Sequence, residues 1–230
     1  MDLLLNTPIL GIILTVFAFQ IGLYIFRKTQ LILLHPFIVS ITIIMVVLLS
    51  CKLPLKSYEI GGDIITFFLG PATVLLAVPL YKQMNVLKQN IFPILIGVTV
   101  GSATGIISVI AIGKIFKLSP ALILSLVPKS ITNPIGMELG KQLGGDLSIT
   151  VAAIVLAGVL GAIIGPTVCK MLCIKNPLAI GLSLGTSSHA IGTSRAIEMG
   201  ETQGAMSGLA IGLAGLITVL LAPALVHWFL

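Results

Sequence analysis

The chain has 230 residues, of which 57% are hydrophobic and 9% are charged. A soluble domain carries about 25% charged residues, so this composition excludes a protein whose whole surface faces water. The net charge of +6 is spread over short loops without interleaved aromatic residues, which indicates contact with anionic lipid headgroups and argues against a nucleic-acid partner. The lipid bilayer is therefore the expected environment of the chain.

We interpret residues 1–230 as a single transmembrane domain. The predicted fold class is an all-α integral membrane protein of about eight hydrophobic segments, because one span needs about 20 apolar residues. Residues 1–63 form an N-terminal helix pair, and residues 64–230 form a core with an internal repeat. The helix pair and the polar connection after it are Asn6–Phe26, Leu31–Ser50 and Cys51–Asp63.

The third segment, Ile64–Tyr81, contains Gly70, Pro71 and Pro79, which predict a kink or a break. Segments four, six and eight are predicted to be uninterrupted spans: Ile91–Ile112, Ser148–Met171 and Ala205–Leu230. Glycine stripes in segments four and six are predicted to let another helix approach closely. These glycines are Gly97, Gly101 and Gly105, and then Gly158, Gly161 and Gly165.

Segment five, Ser119–Gly145, is interrupted by the polar stretch Pro128–Pro134. The residue before a proline disfavours the α conformation, so the first half-helix should end near Val127. Asn133 then suits an N-cap and Pro134 the first helical position. The second half should run to about Gln142, with Gly144 and Gly145 ending it.

Segment seven, Asn176–Gly200, is interrupted in the same way. Its first half is predicted to end near Leu184 and Gly185, and its second half to begin at Thr193, a good N-cap. Each half has about ten residues and spans about 15 Å, which is half of a bilayer.

Segments five and seven belong to an internal repeat of residues 119–171 and 176–230. Pro120 and Pro177, Gly158 and Gly215, and Pro166 and Pro223 are each separated by 57 residues. An offset of 60 pairs Asn133 with Thr193 and Glu138 with Glu198. Broken helices in corresponding positions indicate a transporter-type binding site near the bilayer midplane. Crossing segments would make the repeats parallel and re-entrant hairpins would make them inverted, and the distribution of Lys and Arg does not decide between these.

The two interruptions carry the candidate substrate-binding residues. Helix N-termini carry partial positive charge, to which Lys129 and Arg195 add full charges, and an Arg holds a carboxylate through two hydrogen bonds. Hydroxyl and amide groups complete a site that suits a small carboxylate with a hydroxyl or keto group. They belong to Ser130, Thr132, Asn133, Thr186, Ser187, Ser188 and Thr193.

Each charged candidate also has a structural interpretation. Arg195 and Glu198 are three residues apart and can neutralise each other, and Glu138 and Lys141 have the same spacing. His189 is the candidate proton carrier, because an imidazole titrates near neutral pH, and it is equally a candidate neutral hydrogen-bond donor. We assign Glu138, Glu198 and His189 to ion pairing or coupling.

An enzyme is not expected. The chain has no G-x-S-x-G and no H-E-x-x-H sequence, and the adjacent Ser187, Ser188 and His189 do not by default form a nucleophile–base pair. The three cysteines provide neither a disulfide framework nor a metal-ligand set, so no cofactor or metal is expected. A pore or holin-like protein is the second functional class.

Three motifs resemble the LrgB/CidB family over nearly the whole chain. They are Leu69–Val74 with Ala77–Tyr81, Pro128–Ile135, and Gly185–Ala196. The resemblance implies one of two roles: an antiholin-like protein that modulates murein hydrolases and lysis with a small LrgA/CidA-type membrane partner, or a carrier of glycolate, glycerate or pyruvate.

The polar broken helices favour the carrier, so we expect a secondary transporter of small monocarboxylates with several spans in the bacterial inner membrane. Proton coupling would run through His189. We also expect a homodimer, from the glycine stripes and the common use of symmetric homo-oligomers.

Overall fold

The structure is a computed structural model that describes residues 7–29, 34, 36–68, 81 and 84–230. The regular elements of these residues are α-helices, with no strand among them, which confirms the all-α prediction. The helices are α1 (Pro8–Thr29), α2 (Pro36–Ser50), α3 (Leu55–Phe67), α4 (Met84–Gln89), α5 (Ile91–Ile115), α6 (Pro120–Leu126), α7 (Asn133–Leu143), α8 (Leu147–Met171), α9 (Pro177–Met199) and α10 (Glu201–Phe229).

Four helices in the described part of the chain, α1, α5, α8 and α10, are long and apolar enough to cross a membrane. This finding confirms the prediction of a membrane protein, whereas the total of eight segments stays a prediction. The break predicted at Gly70, Pro71 and Pro79 lies outside the described residues, as does the motif Leu69–Val74. The helices form two compact units, one with α1–α3 and the other with α4–α10.

In the first unit, α1 packs against α2 and α3. Gly11 and Gly61 bring the backbones of α1 and α3 together, and a Cβ on Gly61 would lie 2.7 Å from the Cα of Gly11. The Thr15 and Tyr58 hydroxyls are 2.9 Å apart and hydrogen-bonded. The prediction of a polar connection over Cys51–Asp63 is therefore wrong from Leu55 onward, because this stretch has a small, buried face that fits α1.

In the second unit, segment five is divided into α6 and α7, which are joined by residues 127–132, here called the α6–α7 turn. Val127 ends α6, as predicted. Thr132 has extended dihedral angles and is the N-cap of α7, so the prediction of Asn133 as the cap is wrong by one residue. Gly144 ends α7 with φ of 86°, in the left-handed conformation that glycine adopts without strain, as predicted.

Segment seven breaks at His189, inside the interruption predicted between Gly185 and Thr193, but the interruption is shorter than predicted. Helical geometry continues through Leu184 and Gly185, and the non-helical residue is His189, with φ of 42° and ψ of −135°. The predicted N-cap, Thr193, lies inside the second half, where its hydroxyl donates to the carbonyl of His189 at 3.0 Å. The predicted cap is wrong because a threonine in a helix can bond the carbonyl four residues back instead of capping an end.

The two halves of α9 fold back on each other. A Cβ on Gly192 would lie 2.6 Å from the carbonyl oxygen of Leu184, eight residues earlier in the chain. In a straight helix these positions would be about 12 Å apart along the axis. Helix α9 is therefore a helical hairpin whose ends lie on the same side.

Packing against α10 shows the same reversal. The first half of α9 advances along α10 in the same direction, and the second half advances in the opposite direction. The contacts, in chain order, are Gly181 with Gln203 and Gly185 with Ser207, then Thr193 with Ser207 and Ile197 with Gly204. The absence of a Cβ at Gly181 and Gly185 lets the two backbones approach.

Helices α6 and α7 form a second hairpin. A Cβ on Gly136, in the first turns of α7, would lie 3.4 Å from the carbonyl oxygen of Pro128. Beyond the end of α7, the Asp146 amide donates to the Ser125 hydroxyl in α6 at 2.7 Å. The chain has therefore returned to α6 before α8 begins.

We expect Gly192→Ala to open or destabilise the α9 hairpin, because its Cβ would overlap the carbonyl of Leu184. Overpacking of this kind costs about 1–3 kcal/mol, which should lower the melting temperature of the purified protein in detergent. Gly212→Ala is the matched control, because a Cβ at that position of α10 meets no atom within 4 Å. Equal melting temperatures for the two variants would contradict the hairpin.

Candidate functional site

His189 forms the reversal of α9 and is buried, with 5% of its surface exposed. Its Nε2 lies 2.9 Å from the carbonyl oxygen of Ile154 in α8, and since a carbonyl only accepts, this nitrogen carries a proton and donates. A positive φ is costly for a residue with a Cβ. The bond to Ile154 is one of the contacts that hold this backbone conformation.

The glycine stripe of α8 receives the tip of the α9 hairpin, residues 187–191. A Cβ on Gly158 would lie 2.6 Å from Cε1 of His189, and one on Gly161 would lie 2.8 Å from Cβ of Ser188. On the next turn, a Cβ on Gly165 would collide with the side chain of Leu184. The stripe therefore accommodates the side chains of a hairpin tip, whereas the sequence predicted only close helix packing.

Hydroxyl groups near the tip hydrogen-bond to one another. The Ser187 and Ser188 hydroxyls are 2.9 Å apart, and the buried Thr193 hydroxyl lies 2.7 Å from that of Ser207 in α10. Thr186 is also buried, and its methyl carbon would lie 3.1 Å from a Cβ on Gly101 of α5. Thr186 therefore contacts α5.

The α6–α7 turn places Lys129 and Ser130 side by side. Both residues are half-buried, and the Lys129 ammonium donates to the Ser130 hydroxyl at 3.0 Å. Within the described residues, no carboxylate forms an ion pair with Lys129. An ammonium group with this environment is available to pair with an anion.

A crevice lies between α5, the α6–α7 turn and α10. Its empty space is about 230 Å³, including the part that is open to the surroundings. It is lined by Gly101, Ser102, Gly105, Ile106, Val127, Ser130 and Thr218. Of the residues predicted for the site, Ser130 lines the crevice and Thr186 lies beside its Gly101 wall.

Ser102 is the unusual residue of this crevice. Its hydroxyl oxygen is buried and has no hydrogen-bond partner among the described residues. Thr218, across the crevice in α10, is also buried. Sequence reasoning missed both residues, although Ser102 follows directly after Gly101 of the glycine stripe.

Other predicted site residues lie away from the crevice. Arg195 pairs with Glu198 at 2.5 Å, and their side chains are 47% and 63% exposed. The Glu138 carboxylate accepts a hydrogen bond from Gln142 at 3.0 Å and not from Lys141. Thr132 is half-buried and Asn133 is exposed, and neither lines the crevice. The structure thus brings Lys129 to this site and engages Arg195 in an exposed ion pair.

Residues 15–228 match the model of the LrgB-like family. The match includes both helical hairpins and the crevice between α5 and α10. No solved structure matches the chain.

Substitution of His189 tests the backbone reversal. His189→Ala and His189→Gly both remove the imidazole and its bond to Ile154, but only glycine adopts this positive φ without a steric cost of about 1–2 kcal/mol. We therefore expect the glycine variant to have the higher melting temperature. Ser194, an exposed residue in the second half of α9, provides the control. At position 194 the alanine variant should be more stable than the glycine variant by about 1 kcal/mol, as in an ordinary helix. If the alanine variant also had the higher melting temperature at position 189, the backbone there would not be strained.

Proposed function

The chain belongs to the LrgB-like family, and we propose that it is a secondary transporter of small monocarboxylates of the glycolate, glycerate or pyruvate type. The observation that carries this proposal is that two polar hairpins both contact α5. Ser130 of the α6–α7 turn faces the crevice, and Thr186 contacts Gly101 on the same stretch of α5. Polar groups at membrane depth are costly, so the hydroxyl-bearing residues Ser102, Ser130 and Thr218 in one crevice favour a substrate site.

The arrangement of the hairpins supports an inverted repeat within a protein of about eight hydrophobic segments. Each unit consists of a hairpin and one span, first α6–α7 with α8 and then α9 with α10. The hairpin N-caps, Ser119 and Asn176, are 57 residues apart, and so are the breaks at Thr132 and His189. A hairpin returns to its starting side, so one unit carries the chain across once and the second unit begins on the opposite side. Inverted repeats suit alternating access.

Lys129 is the residue we assign to the carboxylate of the substrate. It is half-buried, it bonds a hydroxyl that lines the crevice, and no described carboxylate pairs with it. Arg195, the other predicted anion ligand, already has Glu198 as a partner. The Arg195–Glu198 pair therefore suits a structural or coupling role in the second half of α9.

Uptake into proteoliposomes tests the proposal. The purified chain, with and without a small LrgA/CidA-type partner, should accumulate radiolabelled pyruvate or glycolate and retain a large trapped dye. Absence of uptake of pyruvate, glycolate and glycerate in both preparations would exclude the carrier function. Release of the dye would favour the pore or holin-like class instead.

We expect Lys129→Met to reduce uptake by tenfold or more. Hydrogen bonds to charged groups contribute about 1.5–3 kcal/mol, and about 1.4 kcal/mol corresponds to a factor of ten. Lys141→Met, at the exposed end of α7, removes the same charge away from the crevice and should leave uptake unchanged. Equal uptake by the two variants would remove Lys129 from the binding site.

Proton coupling is proposed to involve His189. Since Nε2 donates to Ile154, a transported proton would have to bind at Nδ1. His189→Gln keeps an amide donor but does not titrate, so it should abolish accumulation driven by a pH gradient and spare exchange of labelled for unlabelled substrate. Accumulation at the wild-type level in this variant would show that the proton uses another residue.

A further inference from the structure

We infer that the crevice between α5, the α6–α7 turn and α10 is the carboxylate-binding pocket, in which Ser102 binds the substrate and Gly105 limits its size. This inference rests on the transporter function proposed above and deepens it. It assigns binding to Ser102, Gly105 and Thr218, three residues outside the two polar interruptions. The ligand class is the one named in the proposed function, a monocarboxylate with two or three carbon atoms.

The unpaired hydroxyl of Ser102 indicates a ligand in the crevice. A serine in a helix usually bonds a carbonyl of the preceding turn, as Ser108 does with Gly105 in the same helix, at 2.9 Å. The Ser102 oxygen is buried and makes no such bond, although the great majority of buried polar side-chain atoms have a partner. A ligand oxygen in the crevice would provide the missing hydrogen bond.

The charge of Lys129 favours an anion in the crevice. Lys129 donates to the Ser130 oxygen, so the proton of the Ser130 hydroxyl is available for a second acceptor. Ser130, Ser102 and Thr218 can then all donate into the crevice beside an ammonium group. This environment favours an anion over a cation such as Na⁺, which would be repelled by Lys129. Ile106 and Val127 provide apolar walls for a short carbon chain.

Open space beside Gly105 also marks the crevice as a binding site. The crevice contains about 230 Å³ of empty space, a figure that includes its open side. A Cβ on Gly105 would meet no atom within 4 Å, which means that this position borders empty space. A methyl group there would reduce the pocket without displacing any neighbour.

Calorimetric binding of pyruvate and glycolate to the intact chain in detergent tests this inference. Ser102→Ala should lower the affinity for both ligands by about tenfold, which corresponds to one lost hydrogen bond. Gly105→Ala should lower the affinity for pyruvate by about tenfold and the affinity for glycolate by less, because pyruvate is larger by one carbon. Its melting temperature should equal or exceed that of the wild type.

Two control variants match these substitutions. Gly97→Ala adds a methyl group to the same glycine stripe, again with no atom within 4 Å, at a position that does not line the crevice. Ser108→Ala removes a hydroxyl that is already bonded within α5. Both controls should bind pyruvate and glycolate with wild-type affinity and with the wild-type ratio of the two affinities.

The outcomes separate this inference from the proposed function. Wild-type affinities in both Ser102→Ala and Gly105→Ala would overturn the inference and mean that Ser102 bonds only an ordered water, while transport by the wild type would still stand. If binding to the wild type requires Na⁺ and binding to Ser102→Ala does not, Ser102 belongs to a cation site. This result would also overturn the inference. Binding without proteoliposome transport would exclude the transporter and leave the pocket. Absence of binding of either acid to the wild type would overturn the pocket.

Discussion

The reversal of α9 at His189 is the constraint on which the arrangement of the core depends. A single residue with positive φ turns the helix back, and this conformation has a steric cost in any residue that carries a Cβ. The cost is offset by contacts with α8, where Gly158 and Gly161 leave room for the imidazole and for Ser188. The hydrogen bond from Nε2 to the carbonyl of Ile154 also holds the hairpin tip against α8. Without the glycines, the hairpin tip would have no space and α9 would have to take another path.

Helix α5 forms the wall that the two hairpins share. Gly101 contacts Thr186 from the second hairpin, and Ser102 and Gly105 face the crevice that Ser130 of the first hairpin also lines. The lone ammonium of Lys129 lies one hydrogen bond away from this crevice. A hydroxyl-lined space beside an ammonium that pairs with no described carboxylate, in a chain that is 57% hydrophobic, is a suitable environment for a small anion. The glycine stripe of α5 therefore has a second consequence besides helix packing, since it leaves empty space at Gly105.

Much of the local structure was predictable from short stretches of sequence. The interruption after Val127 follows from the conformational restriction before Pro128, and the end of α7 follows from the freedom of Gly144 to adopt a positive φ. Lys129 and Ser130 stay predicted site residues, chosen because polar residues are rare in such an apolar chain. One error concerns Cys51–Asp63, a predicted polar connection that is helical from Leu55 onward. Two others concern Asn133 and Thr193, residues with good capping side chains that were assigned to helix ends. The actual ends depend on packing that the side-chain type does not reveal.

The sequence by itself determined that this is an all-α membrane protein of the LrgB-like family and where the polar groups interrupt the helices. Hydropathy, proline and glycine act on the chain locally, so their effects can be inferred without knowing which helices are neighbours. Only the tertiary structure decided that α9 reverses at His189 and that Arg195 pairs with Glu198. It alone also decided that Ser102 faces a crevice with no hydrogen-bond partner in the described part of the chain. These features depend on contacts between residues that are distant in the chain, such as Gly158 with His189, and on space left empty between helices. Local sequence contains no measure of either.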